Sequence, residues 1–552
     1  ETARTKNIKD CKDPVWNETF CYRIQNQVKN ILELIVHDEN HCLLDGHPFT
    51  VLFDVAKLQL GETICLTFPL DPKCPPKLII TMILYFFHHG LNARPKELDV
   101  RLDYELCPDE QVFIQKRKKI VAAALKRVLC MDNDLQDHEV PVVAIMATGG
   151  GARAFTALHG HLLGLQKLNL LDCFTYISGS SGSTWTLSNL YEEPGWSQKD
   201  LLGPIAEAQK NMSKCKLDCF TLDQLKEYRD ILKQREKDGY KTCITDLWGI
   251  FIDQTLGNGV IDASDFSIMK GLILTFSLNV QSTNLVWEWM EFTPFEVGLL
   301  KYGAYIRAED YGSKFFMGRI MKKIPESHIC FLKGMWSNVF SYNLLDAWRA
   351  IGSSEDSFWY SYTHDKIKQL AANENACLSD TVLDTFPNQL MTSLEYLSLV
   401  DTAAFIDTSY ASLMKPERKV DVIIHLNYSS GSQTAGIPFP KIDLSMEKNL
   451  KECYVFEDAT DSEAPIVVFF PLINDTFKKY KAPGVKRGPT EMKQGEVDVT
   501  SPFSPYAIQN FQYTKENFDK LIELTSYNIQ NNKNSILQAL QRATEREKPQ
   551  AK

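Results

Sequence analysis

Between residues 142 and 191, short apolar runs alternate with an amphipathic segment, a pattern that predicts strand, helix, strand and helix in succession. Val142 to Met146 (V-V-A-I-M) is continuous, apolar and rich in β-branched side chains, as in a strand buried on both faces of a parallel sheet. A-T-G-G-G-A-R-A-F at 147–155 follows, and Phe155, Leu158, Leu162 and Leu163 then recur at close to a helical period. Phe174 to Ile177 is the second apolar run. It ends in S-G-S-S-G-S at 178–183, with a new helix expected near Ser183. The expectation is a βαβ unit with a special turn at the end of each strand.

Elsewhere the periodicity changes. Leu32, Leu34 and Val36 alternate with polar residues, as do Phe20, Tyr22 and Ile24 and, after Gly61, Ile64, Leu66 and Phe68, so the first ninety residues predict an all-β sandwich. The apolar run Leu78 to Phe87 falls short of the about 20 residues needed to cross a bilayer and reads as a strand or buried segment. Residues 91–100 read as a linker and Gln111 to Leu129 as a helix. Lys116, Arg117, Lys118 and Lys119 on that helix form either a solvated face or a membrane-facing patch. Ile536, Leu537 and Leu540 predict one last helix. Trp287, Trp289, Phe315, Phe316, Trp336, Trp348 and Trp359 are core candidates, and residues 337–348 have an amphipathic, interfacial look.

Composition narrows the function. An apolar fraction of 44% and a charged fraction of 24% are those of a globular protein, and 552 residues imply more than one domain. The formal charge of −10 argues against nucleic acid as a partner and against simple attraction to anionic membranes. The 14 cysteines are scattered, which fits reduced cytosolic thiols, and no secretory signal is visible. The sequons at Asn17, Asn211, Asn427 and Asn474 are about what chance supplies. Asp132, Asp134 and Asp137 imitate the start of an EF-hand without its glycine or closing glutamate, and read as linker.

Ser181 occupies the place of a nucleophile on a strained strand-to-helix turn, between small residues that let the backbone close. A Ser/Gly-rich loop capping a helix is the alternative. The first turn favours chemistry: consecutive glycines let backbone N–H groups approach a developing oxyanion, making Gly150 and Gly151 candidates. No Lys-Ser or Lys-Thr follows, so this is not a P-loop. Arg153, in the first turn of the next helix, could hold a phosphate bidentately or form a surface salt bridge. Asp401 follows L-S-L-V and precedes T-A-A, small residues that would let its carboxylate approach a serine. His425 lies downstream in an apolar strand, where a packed role is expected; His159 and His161 are rival bases. Asp13, Asp38, Asn40 and Asp45 sit in loops between the β-strands, and calcium takes about six to eight hard oxygen ligands. Solvated turns are the alternative.

D-P-V-W-N-E-T-F at 13–20 followed by N-I-L-E-L-I-V-H-D-E-N resembles a C2 domain of the group IV cytosolic phospholipase A2 family. The likeness continues through G-G-G-A-R-A, G-S-S-G-S-T-W, W-M-E-F-T-P-F-E-V-G at 289–298, G-S-K-F-F-M-G at 312–318, F-P-K-I-D at 439–443, K-E-C-Y-V-F at 451–456 and K-A-P-G-V at 481–485. It therefore covers nearly the whole chain. The resemblance implies an α/β, patatin-like catalytic domain with a central sheet and a lid or cap over residues 101–552, preceded by an all-β C2 sandwich over residues 1–90. The family's C2 domain opens with a strand pair and a calcium loop that this sequence does not show, so a C2 domain lacking its N-terminal part is expected.

The resemblance also implies roles: Ser181 as nucleophile, Asp401 as its base in a dyad without histidine, Gly150 and Gly151 as oxyanion hole, Arg153 as phosphate holder. Asp13, Asp38, Asn40 and Asp45 become calcium ligands that recruit the protein without entering the chemistry. Cys42, Leu43 and Leu44 at the loop tip then suit shallow insertion into a phospholipid membrane surface, which needs no anionic lipid. The expected protein is cytoplasmic, moves to membranes with calcium, and cleaves the sn-2 ester of its phospholipid substrate. An acyltransferase using the same acyl-enzyme, and a catalytically silent lipid-binding protein, are the alternatives.

Overall fold

The computed structural model describes residues 4–6, 16, 18, 20, 31–36, 49–54, 63–71, 74–83, 98–193, 195–257, 273–281, 287–316, 318–338, 381–383, 399–401, 410–429, 450–458, 464–501, 503–508 and 510–547. Two compact units make up the chain: residues 1–99 with 315–321 and 375–397, and residues 100–314 with 322–374 and 398–552. The two later segments that join the first unit leave no trace in its local alternation, because pairing between distant segments is not written in a short window.

In the first unit β1 (Ile31–Val36) pairs antiparallel with β2 (Phe49–Asp54), Leu34 opposite Val51. Leu32 and Leu34 are partly buried and Glu33 is exposed, the alternation that a half-buried strand requires. β3 (Thr63–Asp71) pairs antiparallel with β4 (Cys74–Ile83), so the run beginning at Leu78 starts as a strand. Of the proposed first strand, Tyr22 and Ile24 lie outside the described residues.

The second unit is built on one sheet. Its elements are β5 (Arg101–Leu102), α1 (Pro108–Val128), β6 (Val142–Ala147), α2 (Gly151–Lys167), β7 (Tyr176–Gly179), α3 (Gly182–Tyr191), α4 (Leu202–Ser213), α5 (Leu222–Lys237), α6 (Ile244–Leu256), β8 (Ile273–Gln281), β9 (Trp287–Phe292), β10 (Glu296–Leu299), β11 (Ala304–Arg307), α7 (Ile329–Trp336), β12 (Leu399–Asp401), β13 (Val420–Asn427), β14 (Tyr454–Phe456), β15 (Ile466–Pro471), α8 (Lys515–Asn531) and α9 (Lys533–Arg546). The strand order is β14-β15-β13-β6-β7-β8-β9-β10-β11-β5, with β12 also on β8. β15, β13, β6, β7 and β8 run parallel, and every residue of β6 and β15 is buried, as the unbroken apolar runs require.

The carboxyl ends of the parallel strands line up. Leu426 of β13 is level with Ala147 of β6, Ala147 with Gly179 of β7, and Gly179 with Phe276 of β8. In open α/β sheets that edge is where ligands bind.

Helix α2 is fixed behind this edge by α8, which the sequence pattern did not separate: two C-terminal helices stand where one was expected. Side chains would keep the two helices apart at Gly160 and Gly164. A Cβ on Gly160 would overlap Thr525 Oγ1, and one on Gly164 would lie 2.8 Å from Ile529 Cβ. Close approach at small residues lets α8 bury Leu521, Ile522 and Ile529.

At the opposite end of the sheet Arg418 is buried between two carboxylates. Its Nε donates to Glu110 Oε1 at 2.9 Å and its Nη1 to Glu291 Oε2 at 2.7 Å, while the Tyr176 hydroxyl donates to Glu110 Oε1 at 3.1 Å. The pairing satisfies charges that burial would otherwise make costly. Of the basic run on α1, Arg117 is not at the surface. It donates to the Phe174 and Leu171 carbonyl oxygens, so neither a solvated nor a membrane-facing patch includes it.

Candidate active site

β7 ends at Gly179, and the chain passes through Ser180 and Ser181 directly into α3. Ser181 takes φ 49° and ψ −126°, a backbone conformation that costs a residue with a Cβ about 1–3 kcal/mol. A turn this tight lifts a hydroxyl clear of the sheet at the start of a helix. The turn is braced throughout. Ser180 N–H donates to the Ala147 carbonyl oxygen at 3.2 Å, Thr184 N–H to that of Ser181 at 2.9 Å, and Ser183 Oγ to that of Thr148 at 2.6 Å.

The glycine loop meets this turn. Gly150 has φ 145° and Gly151 φ 57°, conformations that side chains resist. Gly151 begins α2 and Gly182 begins α3, and a Cβ on Gly182 would overlap the Gly151 carbonyl oxygen. Two helix N-termini therefore converge on Ser181. The N–H groups of Gly151 and Gly182 open these two helices, and both macrodipoles favour negative charge there. Arg153 stands in the first turn of α2, partly buried, where its positive charge reaches the Tyr513 hydroxyl.

Asp401 is fully buried at the end of β12. β8 pairs with β7 from Ile273 to Phe276 and with β12 from Leu278 to Val280, while β9 covers its other edge from Phe276 to Gln281. β12 therefore takes the β8 edge that β7 vacates, in the opposite direction. Gly179 is level with Phe276 and Asp401 with Leu278, so the two strand ends face each other about 7 Å apart along β8. The fold thus brings the Ser181 turn, the Gly150–Gly151 loop and Asp401 to one place.

The histidines lie elsewhere in the hydrogen-bond pattern. His159 Nδ1 donates to the Phe155 carbonyl oxygen at 2.7 Å, and His161 Nδ1 and His425 Nδ1 pair with the Tyr428 and Tyr410 hydroxyls at 2.9 and 2.8 Å. All three are buried, and loss of solvation pushes the imidazoles down to about 4, about 3 and about 3 respectively. Each is a neutral packing residue at neutral pH.

Sequence reasoning missed the support beneath the glycine loop. Thr148 Oγ1 donates to Asn427 Oδ1 at 3.2 Å and accepts the Tyr428 N–H at 2.8 Å, while Thr148 N–H donates to the Leu426 carbonyl oxygen at 3.0 Å. A Cβ on Gly150 would lie 3.1 Å from the Tyr428 carbonyl oxygen. The end of β13 therefore holds the loop that follows β6. The one signal in the sequence is Asn427, a polar residue ending an apolar strand.

Asp13, Asp38, Asn40 and Asp45 lie outside the described residues, as do Cys42, Leu43 and Leu44, residues 339–348 of the amphipathic segment, Trp348 and Trp359. Among the described residues no three His, Cys, Asp or Glu side chains gather to hold a metal, and no helix is long and apolar enough to cross a membrane.

Residues 143–438 match the family described as lysophospholipase catalytic domain, and residues 1–70 match the C2 domain. The chain is 38% identical to human cytosolic phospholipase A2 epsilon, an alignment covering 99% of this chain and 87% of that protein. It is 35% identical to mouse cytosolic phospholipase A2 delta over 98% of this chain and 90% of that one. Among solved structures it resembles human GIVD cytosolic phospholipase A2, with a TM-score of 0.74 and 33% identity over 98% of this chain and 95% of that chain. The same human enzyme in complex with methyl gamma-linolenyl fluorophosphonate matches with a TM-score of 0.70 at 33% identity, over 99% of this chain and 93% of that one.

Proposed function

The chain belongs to the cytosolic phospholipase A2 family and is a phospholipid hydrolase of that type, and from this premise we propose that it cleaves the sn-2 ester of membrane glycerophospholipids with a Ser181–Asp401 dyad. The observation that carries the reading is the meeting of β7 and β12 end to end on one edge of β8, beneath the turn where Gly151 and Gly182 touch.

Asp401 takes the proton of Ser181 Oγ as the oxygen attacks the ester carbonyl. Negative charge develops on the former carbonyl oxygen and is met by the Gly150 and Gly151 N–H groups at the N-terminus of α2. Asp401 then gives its proton to the departing lysophospholipid oxygen as the tetrahedral intermediate collapses, leaving an acyl-Ser181 ester. Water, deprotonated by Asp401, attacks that ester, and fatty acid leaves as the proton returns to Ser181. Arg153 holds the phosphate during both steps. Two helix N-termini supply fixed dipoles for the charge that develops, which is why no imidazole is required.

The domain boundaries follow the same reading: a C2 domain within residues 1–90, a linker at 91–100 and the catalytic domain at 101–552. Calcium held by Asp13, Asp38, Asn40 and Asp45 brings the C2 domain to the phospholipid surface from the cytosol and takes no part in the chemistry.

A Ser181→Ala variant tests the proposal. It is expected to lose phospholipid hydrolysis and labelling by a fluorophosphonate probe while keeping its unfolding temperature. Hydrolysis of phosphatidylcholine vesicles at the parental rate would sink the dyad.

A further inference from the structure

Phe503 is 94% exposed and Ile508, five residues on, is 53% exposed. A single exposed apolar side chain is ordinary. Three further observations set this pair apart.

Backbone turns brace the described residues that carry them. Ser504 N–H donates to the Ser501 carbonyl oxygen at 3.1 Å, Ala507 N–H to that of Ser504 at 3.1 Å and Asn510 N–H to that of Ala507 at 2.9 Å. Tyr506 is buried, its hydroxyl donating to the Asn517 carbonyl oxygen at 2.9 Å and its ring set edge-on to Tyr513. Phe503 is thus held outward by a frame of successive turns.

Charge is absent from the surrounding chain. From Val499 to Thr514 there is no Asp, Glu, Lys or Arg, in a protein whose charged fraction is 24%. The segment itself offers no charge for a partner to grip, and a zwitterionic lipid surface, with no net charge to match, fits.

The loop also rests on the catalytic turn. A Cβ on Gly151 would lie 3.5 Å from the Ile508 carbonyl oxygen and 3.9 Å from Ile508 Cγ1. Whatever Phe503 and Ile508 enter is therefore brought beside the proposed oxyanion hole.

We propose that Phe503 and Ile508 form a lipid-contact point of the catalytic unit, entering the interfacial layer of a zwitterionic phospholipid surface and setting the mouth of the Ser181 site against it. The inference rests on the phospholipase reading above. Apolar side chains that leave water for the acyl boundary gain free energy in proportion to the area buried, and a backbone already held in turns has less conformational freedom to lose. The contact adds to the binding of the catalytic unit to the surface and places the reacting ester.

The test compares Phe503→Asp and Phe503→Trp in the full chain on two substrates, phosphatidylcholine vesicles and a water-soluble short-chain ester. Phe503→Asp is expected to lose about tenfold or more of the vesicle rate and to keep the soluble-ester rate within about twofold, while Phe503→Trp keeps both. Equal losses on the two substrates, an unchanged vesicle rate, or a shift in sedimentation showing that Phe503 holds two copies of the chain together would each overturn it. Failure of the phospholipase reading is distinguished in a Ser181→Ala background. There, co-sedimentation with the same vesicles is expected to weaken when Phe503→Asp is added, and equal co-sedimentation overturns the contact whatever the protein hydrolyses.

Discussion

Gly182 lies so close to Gly151 that a Cβ on Gly182 would overlap the Gly151 carbonyl oxygen. The first turns of α2 and α3 therefore touch backbone to backbone. Gly182→Ala must push one helix N-terminus away from the other, and preorganised donors lose their value once displaced. We expect about a 100-fold or greater loss of kcat on phospholipid vesicles, because removing one oxyanion donor costs about 100- to 1,000-fold. Gly151→Ala should be milder, since its nearest contact is 3.5 Å away and strain from its φ of 57° is the main cost. Steady-state rates of the two variants, read beside their unfolding temperatures, check the order.

Asp401 and His425 give opposite expectations. Asp401→Asn removes a proton acceptor while keeping the shape of the side chain, and a general base contributes about 100- to 10,000-fold. Vesicle hydrolysis should fall within that range and fluorophosphonate labelling of Ser181 should slow with it. His425 is buried, pairs with Tyr410 and stays neutral down to about pH 3. His425→Gln should therefore change the rate by no more than about threefold and leave the acid limb of the pH–rate profile where it was. A loss comparable to that of Asp401→Asn would give the role of base to the histidine.

Much of the Ser181 turn and the glycine loop was legible because each part rests on local chemistry. Three glycines after an apolar strand, and a serine between small residues after a second, declare tight turns whatever surrounds them. The helix begun by Gly151 and the strand Val142–Ala147 followed from periodicity in the same way. Separation of α8 from α9 did not, because Asn531 and Asn532 interrupt the chain without a proline or glycine. The meeting of β12 with β7 was also hidden. β12 is three residues long, and its partner is set by the vacancy that β7 leaves on β8, a property of the assembled sheet. Asp401 could be connected to Ser181 from sequence only through a family resemblance.

The glycines that hold α2 against α8 offer a test of the scaffold apart from the chemistry. A Cβ on Gly160 would overlap Thr525 Oγ1 and lie 2.7 Å from the Ile522 carbonyl oxygen. Overpacking of this kind costs about 1–3 kcal/mol. Gly160→Ala should lower the unfolding temperature of the catalytic unit, and adding Thr525→Ala should recover only part of the loss, because the Ile522 carbonyl oxygen remains. Full recovery would show that the side-chain hydroxyl was the only obstacle.

The start of β13 carries a carboxyl group that burial works against. Asp421 accepts the Val142 N–H at 2.6 Å, yet loss of solvation pushes its pKa up to about 7 from an ordinary value of 3.8. Lys118, Arg546 and Glu547 also face it, the two cations lowering the value and Glu547 raising it. Because the folded state holds this proton where the unfolded chain has released it, stability is greatest below the unfolded pKa and declines as pH rises from about 4 to about 7. Asp421→Asn keeps an acceptor for Val142 and removes the titration. The difference in unfolding temperature between variant and parent should therefore grow in the variant's favour across that window and level off above about pH 7. A constant difference from acid to neutral pH would mean that the folded protein ionises Asp421 as easily as the unfolded chain does. Comparing the two proteins isolates this group, since every other carboxylate and histidine titrates in both.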